Sequence, residues 1–366
     1  MRPAGRVHLE MEVLYRPGRG SSSRQSMLTG LGGGITIALM QENKKPKKKP
    51  RSNVVDGLTY LALRLAAMVF HLFPIEMNLR TARWLGRGMW FVIGQDFPLL
   101  KKVLRRKHRE QIMENLRTAF GDQCSEAELA RIARRSCEHL VMFAVECLFT
   151  TKLITHGTWQ QHVRLKNFEE ALRVLLSGHG VVLVTGHYGS WEVLGYTLAT
   201  LGFDVGAVMR PFDNSHINRY MTEIRARKGL LLLDKKGAAQ YMGRVVEGGS
   251  ALGFIADQDA GHKGLFVDFF GKKASTYKSI ALTAWQYHLP VIIGCARRIS
   301  WEQFLYEIEV EDIIYPKDWT GQDNEILYIT RRFNRGIEQM VRKDPTQYLW
   351  LHRRWKSRPP EEKTLA

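Results

Sequence analysis

A chain of 366 residues has capacity for one large core or two modest ones, and its 45% hydrophobic and 25% charged content is that of a globular protein. Its formal charge of +18 predicts an anionic partner: nucleic acid, acidic lipid or a phosphorylated substrate. The four cysteines, Cys124, Cys137, Cys147 and Cys295, form no CxxC and no Cys/His cluster of zinc spacing, which excludes the common zinc modules and fits free thiols in a reducing compartment.

Residues 1–53 carry eleven Lys/Arg against three Glu, so a large share of the charge sits in this stretch. Its Gly/Ser runs and Lys44-Lys-Pro-Lys-Lys-Lys-Pro-Arg51 predict a disordered basic tail. Met40 directly precedes the basic leader, and we expect the natural start there, with 1–39 outside the native chain. Val54–Pro74 is apolar enough to seek a membrane, but Asp56, Arg64 and His71 interrupt it. Three readings stay open: a span, an interfacial helix with Arg64 snorkelling, and a buried globular helix. The upstream lysines favour a membrane, because anionic lipid attracts such a segment.

Leu99–Phe120 and Ser125–Phe149 show helical spacing, and Ser125 with Glu128 reads as a capping box. Residues 54–150 thus form a helical N-terminal region, and 151–360 a different kind of domain. There, short apolar runs at Val181–Val184, Val205–Met209, Leu230–Leu233, Ala251–Ala256, Phe266–Phe269 and Val291–Ala296 predict strands. Helical patterns at Trp191–Leu201, Asn214–Lys228, Ala238–Val246, Tyr277–Tyr287 and Asp323–Lys343 lie between and after them. Phe304–Val310 alternates, as a strand with one exposed face does. The expected fold class is α/β: a mixed, largely parallel central sheet flanked by helices, with active residues at strand C-terminal ends.

One such end is Gly186-His-Tyr-Gly-Ser-Trp-Glu192. His187 projects from the sheet edge, Ser190 is placed to cap the next helix, and Glu192 falls in its first turn. A carboxylate there can turn back to the imidazole, fix its tautomer and stabilise the imidazolium, which equips His187 to take a proton from a hydroxyl. A satisfied loop histidine is the bland alternative. The run is no P-loop, no HExxH and no nucleophile elbow; Gly248-Gly-Ser-Ala-Leu252 fails the elbow at Leu252, and Gly178-His-Gly180 lacks the third glycine of a dinucleotide fingerprint.

His-x4-Glu after a buried strand resembles the H-x4-D/E signature of glycerolipid-type acyltransferases. Further boxes are similar to those of the late acyltransferases of lipid A biosynthesis: Met209-Arg-Pro-Phe-Asp-Asn214 with Arg225-Ala-Arg227-Lys-Gly229; Ile255-Ala-Asp-Gln-Asp-Ala-Gly261 with Gly264–Gly271 and Ala274-Ser-Thr276; Gln347–Pro359; and, upstream, Glu114-Asn-Leu-Arg117. The likeness covers roughly residues 55–360; the tail before residue 54 has no counterpart in it, and the spacer Tyr-Gly-Ser-Trp does not name the acceptor. The resemblance implies a membrane-associated O-acyltransferase. It implies an acyl carrier protein or coenzyme A thioester as donor and a lipid A precursor-like hydroxyl as acceptor. It further implies the inner membrane, with the catalytic domain on the cytoplasmic side.

On that reading His187 is the general base and Glu192 orients it. Arg210, just past a strand, binds phosphate or the thioester oxyanion unless it makes a structural salt bridge. Asn214 caps a helix. Asp257 and Asp259 orient Arg210 or the acceptor, and Arg227 and Lys278 are further substrate-binding candidates, with a solvated face the alternative for Lys278. Neither metal nor cofactor is expected; the two aspartates alone are weak grounds for Mg²⁺. Phe266–Phe270 reads as core, with acyl-chain contact as the minor reading. Trp350 and Trp355 among His352, Arg353, Arg354 and Lys356 suit a membrane–water interface or a phosphorylated headgroup, against local packing. Two rivals remain: an acyltransferase for another lysophospholipid or glycolipid, and a basic nucleic-acid-binding protein, the latter disfavoured by charge gathered in a tail and by the lack of any recognition module.

Overall fold

A computed structural model describes residues 53–93, 107–209, 211–227, 229–234 and 239–360. The expected tail, the start at Met40 and the first part of the Leu99–Phe120 helix lie outside the described residues. Helix α1 (Asn53–His71) is long and apolar enough to cross a membrane. Helices α2 (Ile75–Val92), α3 (Lys107–Phe120) and α4 (Glu126–Glu146) follow. The Ser125–Glu128 capping box forms as expected: the Glu128 amide donates to Ser125 Oγ and the Ser125 amide to Glu128 Oε2 at 2.9 Å. Helix α2 lies tight on α4 because Gly86 has no side chain; a Cβ there would stand 2.4 Å from Glu138 Cα.

Short turns α5 (Thr150–Leu153) and α6 (Trp159–His162) lead into the sheet domain. Its elements are β1 (Val163–Lys166), α7 (Glu169–Leu176), β2 (Val181–Thr185), α8 (Trp191–Thr200), β3 (Val205–Met209), α9 (Ser215–Arg227), β4 (Leu230–Asp234), α10 (Ala239–Glu247) and β5 (Ala251–Ile255). After these come β6 (Leu265–Phe269), β7 (Lys272–Thr276), α11 (Lys278–Gln286), β8 (Val291–Arg298), β9 (Tyr306–Ile314), α12 (Pro316–Trp319) and α13 (Glu325–Lys343). Seven strands pair in the order β1-β9-β8-β2-β5-β3-β4, all parallel except β8 with β9. The expected mixed, largely parallel α/β sheet is therefore present.

Three strands depart from the sequence reading, β7 among them because Lys272–Thr276 has no apolar run to detect. The Phe266–Phe269 run joins a separate antiparallel hairpin with β7 rather than the main sheet. Its Phe269 and Phe270 are buried under α13, so these residues are core. Strand β1, only four residues long, left no alternation to detect.

Residues in register on parallel neighbours share a face. Leu183, Gly253, Ala207, Leu232 and Ile292 are so aligned. Helix α8 covers this face, with Gly195 set over the Leu230 methyl groups. The opposite face carries α10 against Gly206 and α13 against Ile293. Chain leaving β2 crosses toward β3 over the first face. Chain leaving β5 travels back toward β8 by way of α11, which packs with α13. The C-terminal ends of β2 and β5 are thus a topological switch point, where an open α/β sheet leaves a crevice.

Candidate active site

His187 stands two residues beyond the end of β2, and Asp257 two residues beyond the end of β5. The strands pair Thr185 with Ile255, and the Ala256 amide extends the ladder by donating to the Thr185 carbonyl at 2.8 Å. The two side chains therefore meet. The His187 amide donates to Asp257 Oδ2 at 2.7 Å, and His187 Nδ1 lies 2.7 Å from Asp257 Oδ1. A carboxylate only accepts, so the neutral ring carries its proton on Nδ1 and leaves Nε2 as the acceptor. Asp257 is fully buried, and burial by itself would raise its pKa. The His187 ring, by its charge when protonated and its side-chain hydrogen bond, then His352 and last the His187 amide outweigh burial and hold the carboxyl well below the usual carboxylate range. Asp257 is a fixed anion behind the imidazole.

The loop Gly186–Ser190 is clamped on several sides. Gly189 has φ of +59°, and a Cβ there would meet the Ala296 carbonyl oxygen at 2.0 Å. The Ser190 amide donates to that same oxygen at 2.8 Å. Ser190 caps α8 as expected, accepting from the Val193 amide at 3.2 Å. The C-terminal segment adds a short bridge: the Gly189 amide donates to the Gln347 carbonyl and the Leu349 amide to the His187 carbonyl, 3.2 and 3.0 Å. From α4, His139 Nε2 reaches the Gly189 carbonyl at 3.1 Å. The ring of His352 stands against that of His187 with centroids 4.4 Å apart, and burial followed by the charge of His187 pushes His352 down to about 4. A neutral ring there excludes water from one side of the imidazole.

Glu192 occupies a different position from the one its spacing suggested. Its carboxylate is engaged by the Arg225 guanidinium, with Arg225 Nε donating to Oε2 at 3.3 Å and Nη2 to Oε1. Burial would lower the Arg225 pKa, but the Glu192 charge and hydrogen bond raise it and keep the guanidinium a cation. A helix first turn points its residues along the sheet surface, whereas a residue two past a paired strand points at the same rim as His187. That difference gives the imidazole to Asp257. Arg225 stands in a sequence box, but its link to Glu192 is not legible there, because a cation thirty-three residues away leaves no spacing signal.

His187, Trp191, Glu192, Met209, Phe212 and Arg225 all line one cavity of about 920 Å³. Its lining also takes in Leu183, Gly253, Ala207, Leu232 and Ile292 of the sheet, Leu175 of α7, Leu194 and Leu198 of α8, and, from the opposite face, Met242 of α10 with Ile280 and Thr283 of α11. A mostly apolar lining with a smaller number of polar groups suits a long hydrocarbon chain bearing a reactive head.

The remaining candidates separate. Arg210 is outside the described residues, as is the side chain of Arg227, which closes α9. Asn214 caps α9, accepting from the His216 and Ile217 amides at 3.0 and 3.1 Å, while its Nδ2 donates to the Asp56 carbonyl at 2.9 Å. Asp259 turns away from the cavity and ties the C-terminal segment, accepting from the Ser357 amide at 3.2 Å and hydroxyl at 3.0 Å. Lys278 is exposed at the start of α11. The interfacial reading of Trp350 and Trp355 is overturned. Both are buried, Trp350 Nε1 donates to the Pro345 carbonyl at 2.7 Å, and Arg354 between them is buried on the Ser275 carbonyl at 2.6 Å. Among the described residues no three His, Cys, Asp or Glu side chains are grouped to hold a metal ion.

Residues 70–357 match the family described as bacterial lipid A biosynthesis acyltransferase. Similar curated proteins include the lipid A biosynthesis palmitoleoyltransferase of Escherichia coli (strain K12), 27% identical over 308 residues, 77% of this chain and 93% of that protein. A lipid A biosynthesis acyltransferase of Haemophilus influenzae is 31% identical over 300 residues, covering 76% of this chain and 91% of its own length. The lipid A biosynthesis lauroyltransferase of Escherichia coli (strain K12) is 25% identical over 293 residues, 75% and 92% respectively. With a family match across most of its length, an α/β crevice and an acid–base pair at the mouth of an apolar cavity, the chain belongs to the bacterial lipid A biosynthesis acyltransferase family, whose members are enzymes that transfer acyl groups.

Proposed function

We propose that this enzyme moves a fatty acyl group from an acyl carrier protein or coenzyme A thioester to a hydroxyl of a lipid A precursor, at the cytoplasmic face of the inner membrane. The observation that carries the reading is the His187–Asp257 pair opening on the 920 Å³ apolar cavity. His187 Nε2 accepts the proton of the acceptor hydroxyl as its oxygen attacks the thioester carbonyl. Asp257 stabilises the imidazolium so formed. When the tetrahedral intermediate collapses, the C–S bond breaks and the imidazolium returns its proton to the departing thiolate. General-base assistance of this kind contributes on the order of 10²–10⁴-fold. No covalent acyl-enzyme is required.

The cavity along the sheet takes the acyl chain. Glu192 and Arg225 form its polar end wall and hold the acceptor or the thioester headgroup in line with His187. Arg210, directly after β3, is assigned to the oxyanion, where a planar guanidinium fork can donate two bonds. Arg210→Lys would then transfer poorly, and full turnover in that variant would make Arg210 structural. The net charge of +18 suits a phosphorylated acceptor, an acidic carrier protein and anionic lipid alike.

The test is mass spectrometry of membrane lipids from a strain lacking the gene, together with transfer by the purified protein. Lipid A species short of one acyl chain, restored by the wild type and not by His187→Ala, are expected. An unchanged lipid A profile with a chain missing from another lysophospholipid or glycolipid would replace the acceptor. Salt-sensitive retention of nucleic acid on filters, without any transfer, would replace the whole reading.

A further inference from the structure

Helix α1 touches the enzyme near both ends and in its middle. At its N-terminal end the Asp56 carbonyl accepts from Asn214 of α9 at 2.9 Å. One turn on, the Tyr60 ring stacks on His216 at 5.9 Å and meets Tyr220 edge-on at 6.0 Å, and the Arg64 guanidinium lies 4.8 Å over the Tyr220 ring. Near its C-terminal end Ala67 is buried, His71 stands 4.5 Å from the Phe149 ring, and Asn78 donates to the Phe70 carbonyl at 2.8 Å. The opposite stripe, Leu58, Leu61, Leu65, Met68 and Leu72, is 53–78% exposed and repeats at three- and four-residue spacing.

We propose that α1 lies in the plane of an anionic lipid surface, with this leucine-rich stripe in the acyl region, and does not cross the bilayer. A spanning α1 would carry its attached partners through the hydrocarbon with it: Asn214, His216 and Tyr220 at one end and Phe149 and Asn78 at the other. The polar groups of α9, Arg219 and Glu223 among them, would follow, and polar groups are costly there. In the plane, one stripe faces the protein, the other faces lipid, and no polar partner is displaced.

Charge favours the same arrangement. Lys44–Arg51, which leads into α1, holds six Lys/Arg in eight residues. Such a flank stays on the cytoplasmic side and is drawn to anionic lipid. A single crossing after it would put His187 on the far side, away from cytoplasmic thioesters. An in-plane helix keeps the catalytic residues and the donor on one side of the membrane. It also brings the cavity to the membrane, since Asn214, which holds Asp56, lies two residues from Phe212 of the cavity wall. Placing the donor in the cytoplasm rests on the proposed function; reading the topology from the contacts of α1 does not.

The test uses the full chain with epitopes at both ends, digested in spheroplasts and in inside-out vesicles. The two epitopes are expected to be cut in the same preparation, and cutting in opposite preparations overturns the proposal. Leu58→Glu with Leu61→Glu and Leu65→Glu is expected to lower binding to phosphatidylethanolamine–phosphatidylglycerol vesicles at least tenfold, with an unchanged circular dichroism spectrum. If the spectrum changes, the single variant Leu61→Glu takes its place, with a smaller loss expected. Unaltered vesicle binding by the folded variants overturns the lipid-facing stripe. So does a lipid-free dimer of the wild type that these substitutions dissociate, which would give the stripe to a second copy. All these outcomes are read without a transfer assay, so failure of the acyltransferase reading would be seen separately.

Discussion

Two buried ionic networks hold the loop Gly186–Ser190, and they differ in what they leave open. Behind the loop, Arg298 donates to Glu146 Oε1 at 2.8 Å and to the Tyr306 hydroxyl at 2.6 Å, and its Nε approaches His139 Nδ1 at 3.4 Å. Glu146 and Arg298 have essentially no exposure, and His139 spends its other nitrogen on the Gly189 carbonyl. In front, His187 and Asp257 make an equally short contact, but the imidazole is 14% exposed and its Nε2 has no partner among the described residues. Both networks bury a carboxylate against a nitrogen base. Only the one with an unspent nitrogen at a cavity can move a proton to or from a substrate. Burial and short hydrogen bonds mark rigidity; the leftover valence marks chemistry.

Breaking the front network should remove activity without unfolding the protein. His187→Ala is expected to lower transfer by on the order of 10²–10⁴-fold with little change in thermal midpoint. An equal loss of melting temperature and rate would mean that the front pair, too, is structural. The rear network should behave in reverse. Arg298→Met leaves Glu146 buried without its cation and is expected to cost about 3–5 kcal/mol in urea unfolding, while the folded fraction keeps its turnover. Stability near that of the wild type would remove the distinction.

Acid should act on both networks, through His139 behind the loop and His352 in front of it. Burial, then the charge of Arg298, pushes His139 down to about 3 against the Gly189 hydrogen bond, while the unfolded chain titrates near 6.5. The folded state thus refuses a proton that the unfolded chain accepts. That stability is complete above about pH 6.5 and is lost progressively as pH falls toward 3. Between pH 7 and 5 this amounts to about 2 kcal/mol for His139, and His139→Gln should flatten the dependence. An unchanged slope in that variant would show that the residue is not held neutral.

Much of this arrangement was legible in the chain. The strand before His187, the Ser190 cap, the Ser125–Glu128 box and the α/β alternation are local, and local signals survive in a sequence. The likeness to lipid A acyltransferases was carried by several boxes in order, and it holds. The choice of partner for His187 was not legible, because it depends on β5 lying beside β2, a pairing that bridges seventy residues. Two aspartates in one short box, Asp257 and Asp259, looked alike in sequence. Strand register sends the first to the imidazole and the second to Ser357. Trp350 and Trp355, with their basic neighbours, have the composition of an interface, yet the segment folds back under the hairpin β6–β7 and is buried. Composition did not separate a wet surface from a core built around an arginine.

The most direct measurement sets Asp257→Asn beside Glu192→Gln in steady-state transfer with a purified acyl thioester donor and lipid A precursor. We expect Asp257→Asn to lose on the order of 10²-fold or more in kcat, because an amide no longer fixes the Nδ1–H tautomer or stabilises the imidazolium. Glu192→Gln should act mainly through KM, since Glu192 touches Arg225 and not the base. A fully active Asp257→Asn alongside a Glu192→Gln that has lost kcat would contradict the account and return the imidazole to Glu192.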